Sequence, residues 1–428
     1  MFSFRTPFSQ HPFFTLIFGC MAALLVVCIV SYPDQAFNAS LQGLKIWWNI
    51  IFPALLPFLV LSEMLIAYGW VHGLGVLLDP LMRLLFRLPG VGGWAWSIGW
   101  TAGYPAGAEA VVKLRHQEAL SRREAERLLS LSHANNPIFM IAVIGVGFMQ
   151  QAELGLVIAI VHWISALLSI FVLRLCDKSA PDITTYRLAT EHATSMKPKS
   201  SSSLLQRVLE AMEHAHRRDG RPFGKLLGES VTSAVHTLMM IGGYMMMFSV
   251  IAQVLRLAIP QQFGNYMMNG LLEVNLGAYT LGSATFTSPI FQAALIGAVV
   301  AWSGISAHLQ IHSIIKGTDI RYRTFMLSRL LHAGMAFVLT YVLWRPLRSI
   351  FHHEDEAAAV FAATGPIEEA GASSASVHDQ AANSLSSPEG ALEWIHVSEW
   401  YVLMPLCVLF VASLFIVSRI IALFARSR

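Results

Sequence analysis

The segment Asn135-Asn136-Pro137-Ile138-Phe139 lies inside an uncharged run, Leu128 to Ala152, that is long enough to cross a membrane. Asparagine is a good helix N-cap, and proline fits the first helical position, where no intrahelical hydrogen bond is lost. The segment therefore predicts a helix that begins within the bilayer. A similar segment, Thr287-Ser288-Pro289-Ile290-Phe291, predicts another such start in the second half of the chain.

The composition is that of a membrane protein. Of 428 residues, 55% are hydrophobic and only 13% are charged, whereas a typical soluble domain has about 25% charged residues. One bilayer span needs about 20 predominantly apolar residues. Runs without Asp, Glu, Lys or Arg cover Phe13–Ser31, Leu88–Ala108, Leu128–Ala152, Leu154–Leu173, Ser230–Leu255, Val274–Ile315 and Tyr401–Ser418. The sequence therefore predicts an all-α polytopic protein of the cell membrane.

Two polar inserts divide the chain. Asp177 to Lys225 is basic, with one short helix expected from Leu204 to His216, and the positive-inside rule places it in the cytoplasm. Ser349 to Ser398 has eight acidic residues and no Lys or Arg, which predicts a disordered external loop. The resulting division is an N-terminal transmembrane helix (1–40), a first membrane repeat (41–176), a cytoplasmic linker (177–228), a second membrane repeat (229–348), an acidic loop (349–398), and a C-terminal helix with a basic tail (399–428).

The two predicted helix starts favour a transporter. A helix N-terminus offers free N–H groups and a partial positive charge, which suits an anion. Two such starts, one in each half, are typical of related or inverted repeats whose broken helices surround a central site. Val274–Ile315 is too long for one span, so two crossings or a re-entrant pair fit.

Glycines spaced four residues apart, Gly99, Gly103 and Gly107, have two interpretations. Such glycines let another backbone approach closely, so tight helix packing is the simpler one. Tyr104-Pro105 within the motif favours a break in the helix instead, which would let Thr101, Tyr104 and freed backbone groups face a cavity.

Three carboxylates beside or within apolar runs are candidates for a coupling proton or cation. They are Glu63, Glu109 and Glu273. Intramembrane carboxylates are costly and usually face a cavity or a partner. The alternative is that each lies at the membrane interface at the end of a span.

His308 and His312 are four residues apart, on one face of a helix. Zinc peptidases use this spacing but need a Glu directly after the first His, where this chain has Leu309. A proton relay or a hydrogen-bonded helix contact is therefore favoured over a metal. The small polar stretch Ser303-Gly304-Ile305-Ser306 precedes the pair, so the backbone could approach a ligand there.

Nothing in the sequence signals an enzyme, a cofactor, a metal or nucleic-acid binding. The four cysteines lie in or beside apolar spans and lack CxxC spacing. Neither a GxxxxGK loop nor a GxSxG elbow is present. The expected partners are the lipid bilayer, a small organic anion and a coupling proton or sodium ion; a homo-oligomer is left open.

Several segments in order resemble the YlbJ family, also called SpoVV, over most of Leu41 to Tyr341. They are Gly43–Phe58 (GLKIWWNIIFPALLPF), Val76–Arg83 (VLLDPLMR), Pro89–Gly93, Gly103–Ala108 (GYPAGA), Glu126–Leu129, Asn136–Phe139, Gly270–Gly277 (GLLEVNLG) and Ser303–Gln310 (SGISAHLQ). These are sporulation membrane proteins of endospore formers, with a nucleoside-recognition or Gate domain related to concentrative nucleoside transporters. The resemblance implies movement of dipicolinate across the mother-cell-derived outer forespore membrane.

Dipicolinate, a small planar aromatic dianion, fits the predicted helix starts. The expected substrate-binding residues are Thr101, Gly103, Tyr104, Gly107, Asn135, Asn136, Ser288, Ser303, Gly304, Ser306 and Gln310. Tyr104 would stack on the ring, while Asn side chains and helix N–H groups would hold carboxylates. Two alternatives remain: transport of a nucleoside or other metabolite, and a non-transporting scaffold for assembly of the spore envelope.

Overall fold

The computed structural model describes residues 12–176, 203–258 and 265–351. Within these ranges the chain is helical and contains no strand. Five helical segments are long and apolar enough to cross a membrane: Pro33–Ala67, Ala152–Leu175, Phe223–Leu257, Pro289–Ile315 and Tyr322–Phe351. The expected all-α polytopic architecture is therefore confirmed. Residues 349–351 of the expected acidic loop are helical, at the end of the helix Tyr322–Phe351, and the rest of that loop and the C-terminal helix lie outside the described residues.

In residues 12–176, the described part of the first half, the chain forms eight α-helices and two π-helical segments. The helices are α1 (Pro12–Ser31), α2 (Pro33–Ile46), α3 (Phe52–Ala67), α4 (Trp70–Leu85), α5 (Gly92–Ala102), α6 (Tyr104–His116), α7 (Arg122–Ser132) and α8 (Ala152–Cys176). A π-helical segment, Trp47–Ile51, joins α2 to α3 in one long span, and another, Phe139–Phe148, precedes α8. The π-helical segment Phe139–Phe148 follows the predicted start at Asn136-Pro137.

After α8, the described residues form seven helices. They are α9 (Leu204–Asp219), α10 (Phe223–Ala258), α11 (Asn265–Leu272), α12 (Val274–Gly282), α13 (Pro289–Trp302), α14 (Gly304–Ile315) and α15 (Tyr322–Phe351). Helix α9 confirms the short helix expected in the basic linker. It has a Ser203–Gln206 capping box, and Gly220 in a left-handed conformation ends it.

Three predicted boundaries fall inside helices. Residue 40 lies within α2, residue 228 within α10 and residue 348 within α15. A helix can continue beyond an apolar run, because polar residues are tolerated at its ends. The helix α2, for example, begins at Pro33 with Asp34 in its first turn and so includes residue 40. The uncharged run Val274–Ile315 holds three helices, α12, α13 and α14, of which α13 and α14 together are long enough for one span.

Helices from both halves share one apolar core. Buried side chains from α3, the π-helical segment Phe139–Phe148, α8, α10, α12 and α13 form its largest cluster. A second cluster surrounds α5, α6 and α7 and takes in Ile311 of α14 and Phe325 of α15. Because α15 packs on α7, α8 and α13, it connects both clusters and faces the helix breaks described next.

Candidate functional site

Two helices are broken where the sequence predicts ligand contacts. Between α5 and α6, Gly103 has a φ of +95°, and Pro105 lies in the first turn of α6. Between α13 and α14, Ser303 and Gly304 have φ values of +73° and +75°. Positive φ is uncommon for a residue with a side chain, so Ser303 is held in a costly conformation. Irregular backbone at membrane depth is tolerated only where protein buries it or a cavity adjoins it.

The glycine motif provides tight packing as well as the break. A Cβ atom built on Gly99 would lie 2.0 Å from the backbone oxygen of Ser132. A Cβ atom on Gly107 would lie 2.7 Å from that oxygen and from the Cα atom of Gly99. Both interpretations of the motif therefore hold: α5 and α6 pack closely on the end of α7, and the chain turns at Gly103.

Asn135 and Asn136 both bind backbone atoms. The Asn136 Oδ1 atom accepts a hydrogen bond from the Phe139 N–H at 2.7 Å, which is the predicted N-cap interaction. The Asn135 Nδ2 atom donates to the Val300 carbonyl at 3.1 Å and so ties the first half to α13. Both residues are more than 90% buried. In this conformation the Asn135 side chain links the two halves and the Asn136 side chain caps its own helix, and whether either also contacts substrate stays a prediction.

The second half also contributes a helix start, at Glu273, next to the break at Ser303-Gly304. Glu273 is buried and caps α12, because one carboxylate oxygen accepts from the Leu276 N–H and the other from Asn275 Nδ2, both at 2.7 Å. A Cβ atom on Gly304 would lie 2.9 Å from the Cα atom of Glu273. The break before α14 therefore touches the start of α12. Glu273 therefore lies in the protein interior, and its role as a coupling group or as a residue at the membrane interface stays a prediction.

Side chains from both halves meet around these breaks. Tyr104 at the start of α6 lies beside Gln310 of α14 and within electrostatic range of Glu273. Its ring is 4.5 Å from that of His133. Thr101 and Ser306 are buried nearby on α5 and α14, and the Thr101 carbonyl accepts from Ser62 Oγ at 3.1 Å. The structure thus brings together most of the predicted substrate-binding residues.

Ser288 does not join this cluster. It caps α13 through the Phe291 N–H at 3.4 Å, which agrees with the predicted helix start. However, Val300, which Asn135 contacts, lies about 18 Å further along α13 at 1.5 Å per residue. The helix starts at Asn136 and Ser288 therefore do not face one another, and Glu273 takes the central place in the second half.

The two histidines of α14 have different surroundings. His308 is buried; its Nε2 atom is 3.1 Å from the Trp302 carbonyl and its Nδ1 atom is 2.7 Å from the Tyr322 hydroxyl. One neutral tautomer satisfies both contacts, as a hydrogen-bonded helix contact requires. His312 is exposed and packs on the Tyr322 ring at 5.5 Å. Both histidines therefore contact Tyr322, but only His308 is buried and hydrogen-bonded to it.

The two remaining carboxylates lie away from the breaks. Glu63 of α3 is half-buried and accepts from Ser233 Oγ of α10 at 3.2 Å. Glu109 is exposed and lines an open cavity of about 540 Å³ together with Lys113 and His116. Among the three candidates only Glu273 lies at the centre, so it becomes the first coupling candidate.

Sequence reasoning missed the residues on the other side of Tyr104. Arg329 of α15 is fully buried, and its guanidinium donates to the carbonyls of His133 and Ser130, both at 2.7 Å. His162 and His332 are also buried, with ring centroids 4.6 Å apart. The sequence did indicate these residues, because an ionisable side chain within an apolar helix is by default a candidate for a functional site. Arg329 was missed because it follows the basic residues Lys316, Arg321 and Arg323, which makes it look like part of a polar segment between two spans.

Comparison with known proteins agrees with the resemblance. The chain is 35% identical over 356 residues to the sporulation integral membrane protein YlbJ of Bacillus subtilis (strain 168), covering 79% of this chain and 85% of that protein. The chain belongs to the YlbJ family. No protein-family model matches it, and no solved structure matches it.

Membership of the YlbJ family fixes the coarse assignment. Together with the five apolar helices, it makes this chain an integral membrane protein of a sporulation family. The relation to the nucleoside-recognition or Gate domain stays a prediction. So do the solute, the coupling ion and the membrane that the protein occupies in a sporulating cell.

Proposed function

We propose that this protein transports a small organic anion across the membrane, and that the anion is dipicolinate moving across the outer forespore membrane during endospore formation. The observation that carries the proposal is the meeting of broken helices from both halves around Tyr104, where Gly103, Asn136, Glu273 and Gly304 lie at helix starts. Helix N-termini favour anions, and transporters place such breaks at their substrate site.

The size and chemistry of the solute agree with this centre. A planar aromatic dianion presents two carboxylates and one flat ring. Helix N-terminal N–H groups suit the carboxylates, and the Tyr104 ring suits the flat face. The Tyr104 ring lies beside the His133 ring, with 4.5 Å between centroids and a tilt of 38° between planes, so an aromatic environment exists at the break. The cluster is buried, so solute reaches it only after the surrounding helices separate, as alternating access requires.

A proteoliposome assay tests the function. Purified protein is reconstituted, and uptake of radiolabelled dipicolinate is measured with and without a pH gradient and with and without a sodium gradient, using uridine as competitor. Saturable uptake that uridine does not inhibit supports the proposal. Inhibition by uridine would favour a nucleoside transporter instead, since neutral solutes rely on hydrogen bonds rather than on positive potential.

The scaffold alternative makes a different prediction about the acidic loop. If the protein were a docking platform for envelope assembly, deleting residues 349–398 would abolish its role in sporulation. On the transport proposal that deletion leaves dipicolinate uptake intact, because the broken helices all lie before residue 349. Loss of sporulation with retained uptake would show that both roles exist.

A further inference from the structure

A buried cation lies next to the helix breaks without a carboxylate partner. Arg329 has no exposed surface, and in the described part of the chain no Asp or Glu forms an ion pair with it. Removing such a cation from water is costly unless it is compensated. Its guanidinium donates to two carbonyls at the C-terminal end of α7, where the helix dipole offers about half a negative charge, and it lies 5.6 Å from the centroid of the Phe325 ring. The compensation is therefore partial, and the immediate surroundings of Arg329 keep a positive character, while Glu273 supplies the buried carboxylate at the start of α12.

Polar atoms around Arg329 also lack partners. Five buried nitrogen atoms in this cluster make no hydrogen bond: Arg329 Nε, His133 Nδ1, His133 Nε2, His162 Nδ1 and His332 Nδ1. The three histidines all lie within electrostatic range of Arg329. Buried polar groups are normally satisfied, so several orphans at one place need an explanation.

The existing hydrogen bonds determine which orphans are donors in the neutral rings. The His162 Nε2 atom accepts from the Asn135 N–H at 3.4 Å, so the proton of this ring is on Nδ1. His332 donates from Nε2 to the His162 carbonyl at 2.9 Å, so its Nδ1 atom is an acceptor. His133 carries one N–H in either tautomer. Arg329 Nε, His162 Nδ1 and one nitrogen of His133 are therefore three buried N–H donors that have no acceptor.

Both halves contribute residues to this single cluster, which adjoins the breaks. His133 follows α7 and His332 lies on α15, each about three helical turns after its helix begins. In each half, that helix comes after a break, at Gly103 or at Ser303-Gly304. The His133 ring lies beside the Tyr104 ring, and Asn135, two residues later, bonds both His162 and Val300. A solute at the breaks would therefore lie next to Tyr104, which itself contacts His133, one of the residues with an unpaired donor.

We infer that Arg329, with His133 and His162, forms a subsite that binds one carboxylate of the transported anion. A carboxylate has two oxygens and accepts several hydrogen bonds, so it matches the three buried donors and the partly compensated charge of Arg329. Helix starts at Gly103 and Gly304 would then hold the remainder of the solute. The inference rests on the proposed function and specifies which residues recognise the anionic group.

Binding measurements on variants test the subsite. Equilibrium binding of radiolabelled dipicolinate to the purified full-length protein is compared for wild type, Arg329→Gln and His162→Phe. The matched controls are Arg323→Gln, an exposed arginine on the same helix, and His236→Phe, an exposed histidine on α10. Thermal unfolding and monodispersity in detergent establish that each variant is folded.

Loss of a buried charged donor costs roughly 2–5 kcal/mol, so Arg329→Gln is expected to weaken binding by about 100-fold. Loss of one neutral donor costs about 1.5 kcal/mol, so His162→Phe is expected to weaken it by about 10-fold. Both controls should stay within about twofold of wild type, and the neutral analogue pyridine-2,6-dicarboxamide should not compete. If Arg329→Gln does not fold, His162→Phe carries the test, because that ring is replaced by one of similar shape.

The outcomes separate this inference from the proposed function. Wild-type affinity in folded Arg329→Gln and His162→Phe would overturn the subsite while leaving dipicolinate transport in place. If wild type ignores dipicolinate but binds another carboxylate in an Arg329-dependent way, the subsite stands and the proposed solute is wrong. Failure of folded wild type to bind any carboxylate overturns both.

Discussion

The guanidinium of Arg329 donates to the backbone carbonyl of His133 at 2.7 Å, although the two residues are 196 positions apart. This bond joins a long helix of the second half to the irregular segment that follows α7 in the first half. The same segment continues to Asn136, where the next helix is capped. A change in the arrangement of the two halves must therefore break or move this contact.

Close packing at Gly99 predicts a sharp sensitivity to added volume. In Gly99→Ala the new Cβ atom would meet the Ser132 carbonyl at 2.0 Å, and because backbone cannot easily yield, we expect a loss of about 1–3 kcal/mol. The thermal unfolding midpoint in detergent should fall. Gly243→Ala is the matched control, since no atom lies within 4 Å of its Cβ position in α10; its midpoint should hold or rise slightly. Equal midpoints for the two variants would contradict the packing described.

The N-cap at Asn136 predicts a loss that serine can rescue. Asn136→Leu removes the 2.7 Å bond to the Phe139 N–H and should cost about 1 kcal/mol. We also expect it to abolish uptake while membrane insertion stays intact, since the start of this helix lies at the centre. Asn136→Ser keeps a capping oxygen and should restore the unfolding midpoint. Unchanged uptake in Asn136→Leu would remove this residue from the site.

Burial of Glu273 predicts that this carboxylate carries the coupling ion. Glu273→Gln keeps an oxygen for the Leu276 N–H but cannot lose or gain a proton or hold a cation by charge. We expect this variant to fold and to lose the response of uptake to whichever gradient, proton or sodium, drives the wild type. Glu118→Gln, at an exposed loop position, is the control and should keep the response. A gradient response retained by Glu273→Gln would exclude this role.

The ion pair between Arg115 and Asp319 predicts a small, pH-dependent contribution to stability. The Arg115 guanidinium, 2.9 Å away, lowers the pKa of the Asp319 carboxyl below its usual value. A lowered pKa stabilises the fold above the unfolded-state pKa of about 3.9, and that stability disappears as pH falls through the folded value. Since the Asp319 side chain is 49% exposed, Asp319→Asn should cost no more than about 1 kcal/mol at pH 7.

The direction of this pH dependence is checked by measuring the unfolding midpoints of wild type and Asp319→Asn at pH 7 and at pH 3. The difference between the two proteins should shrink at pH 3, where the carboxyl of the wild type is becoming protonated. A difference that grows on acidification would show that the pair does not contribute in this way.

Local signals in the sequence predicted the polytopic helical class, the break at Gly103 and the caps at Asn136 and Ser288. Asn136, Ser288 and Gly103 act within a few residues of themselves, so N-cap chemistry and positive φ can be predicted from short segments. The close approach at Gly99 also follows from the small residue itself.

Partners that are distant in sequence could not be predicted in this way. The packing around Glu273 could not be predicted, because hydropathy shows only that this residue borders an uncharged run and not that Gly304 packs against it. Arg329 resembled one more basic residue beside a loop, yet tertiary packing buries it against α7. The separation of Ser288 from the centre likewise depends on how α13 crosses the first half.

Counterflow is the most direct test of transport, because it needs no knowledge of the coupling ion. Proteoliposomes preloaded with unlabelled dipicolinate are diluted into a trace of labelled dipicolinate, and internal label is followed over time. Carrier-mediated transport predicts a transient overshoot that protein-free liposomes lack. Absence of an overshoot with folded protein, while liposomes preloaded with uridine accumulate labelled uridine, would contradict dipicolinate transport and identify a nucleoside carrier instead.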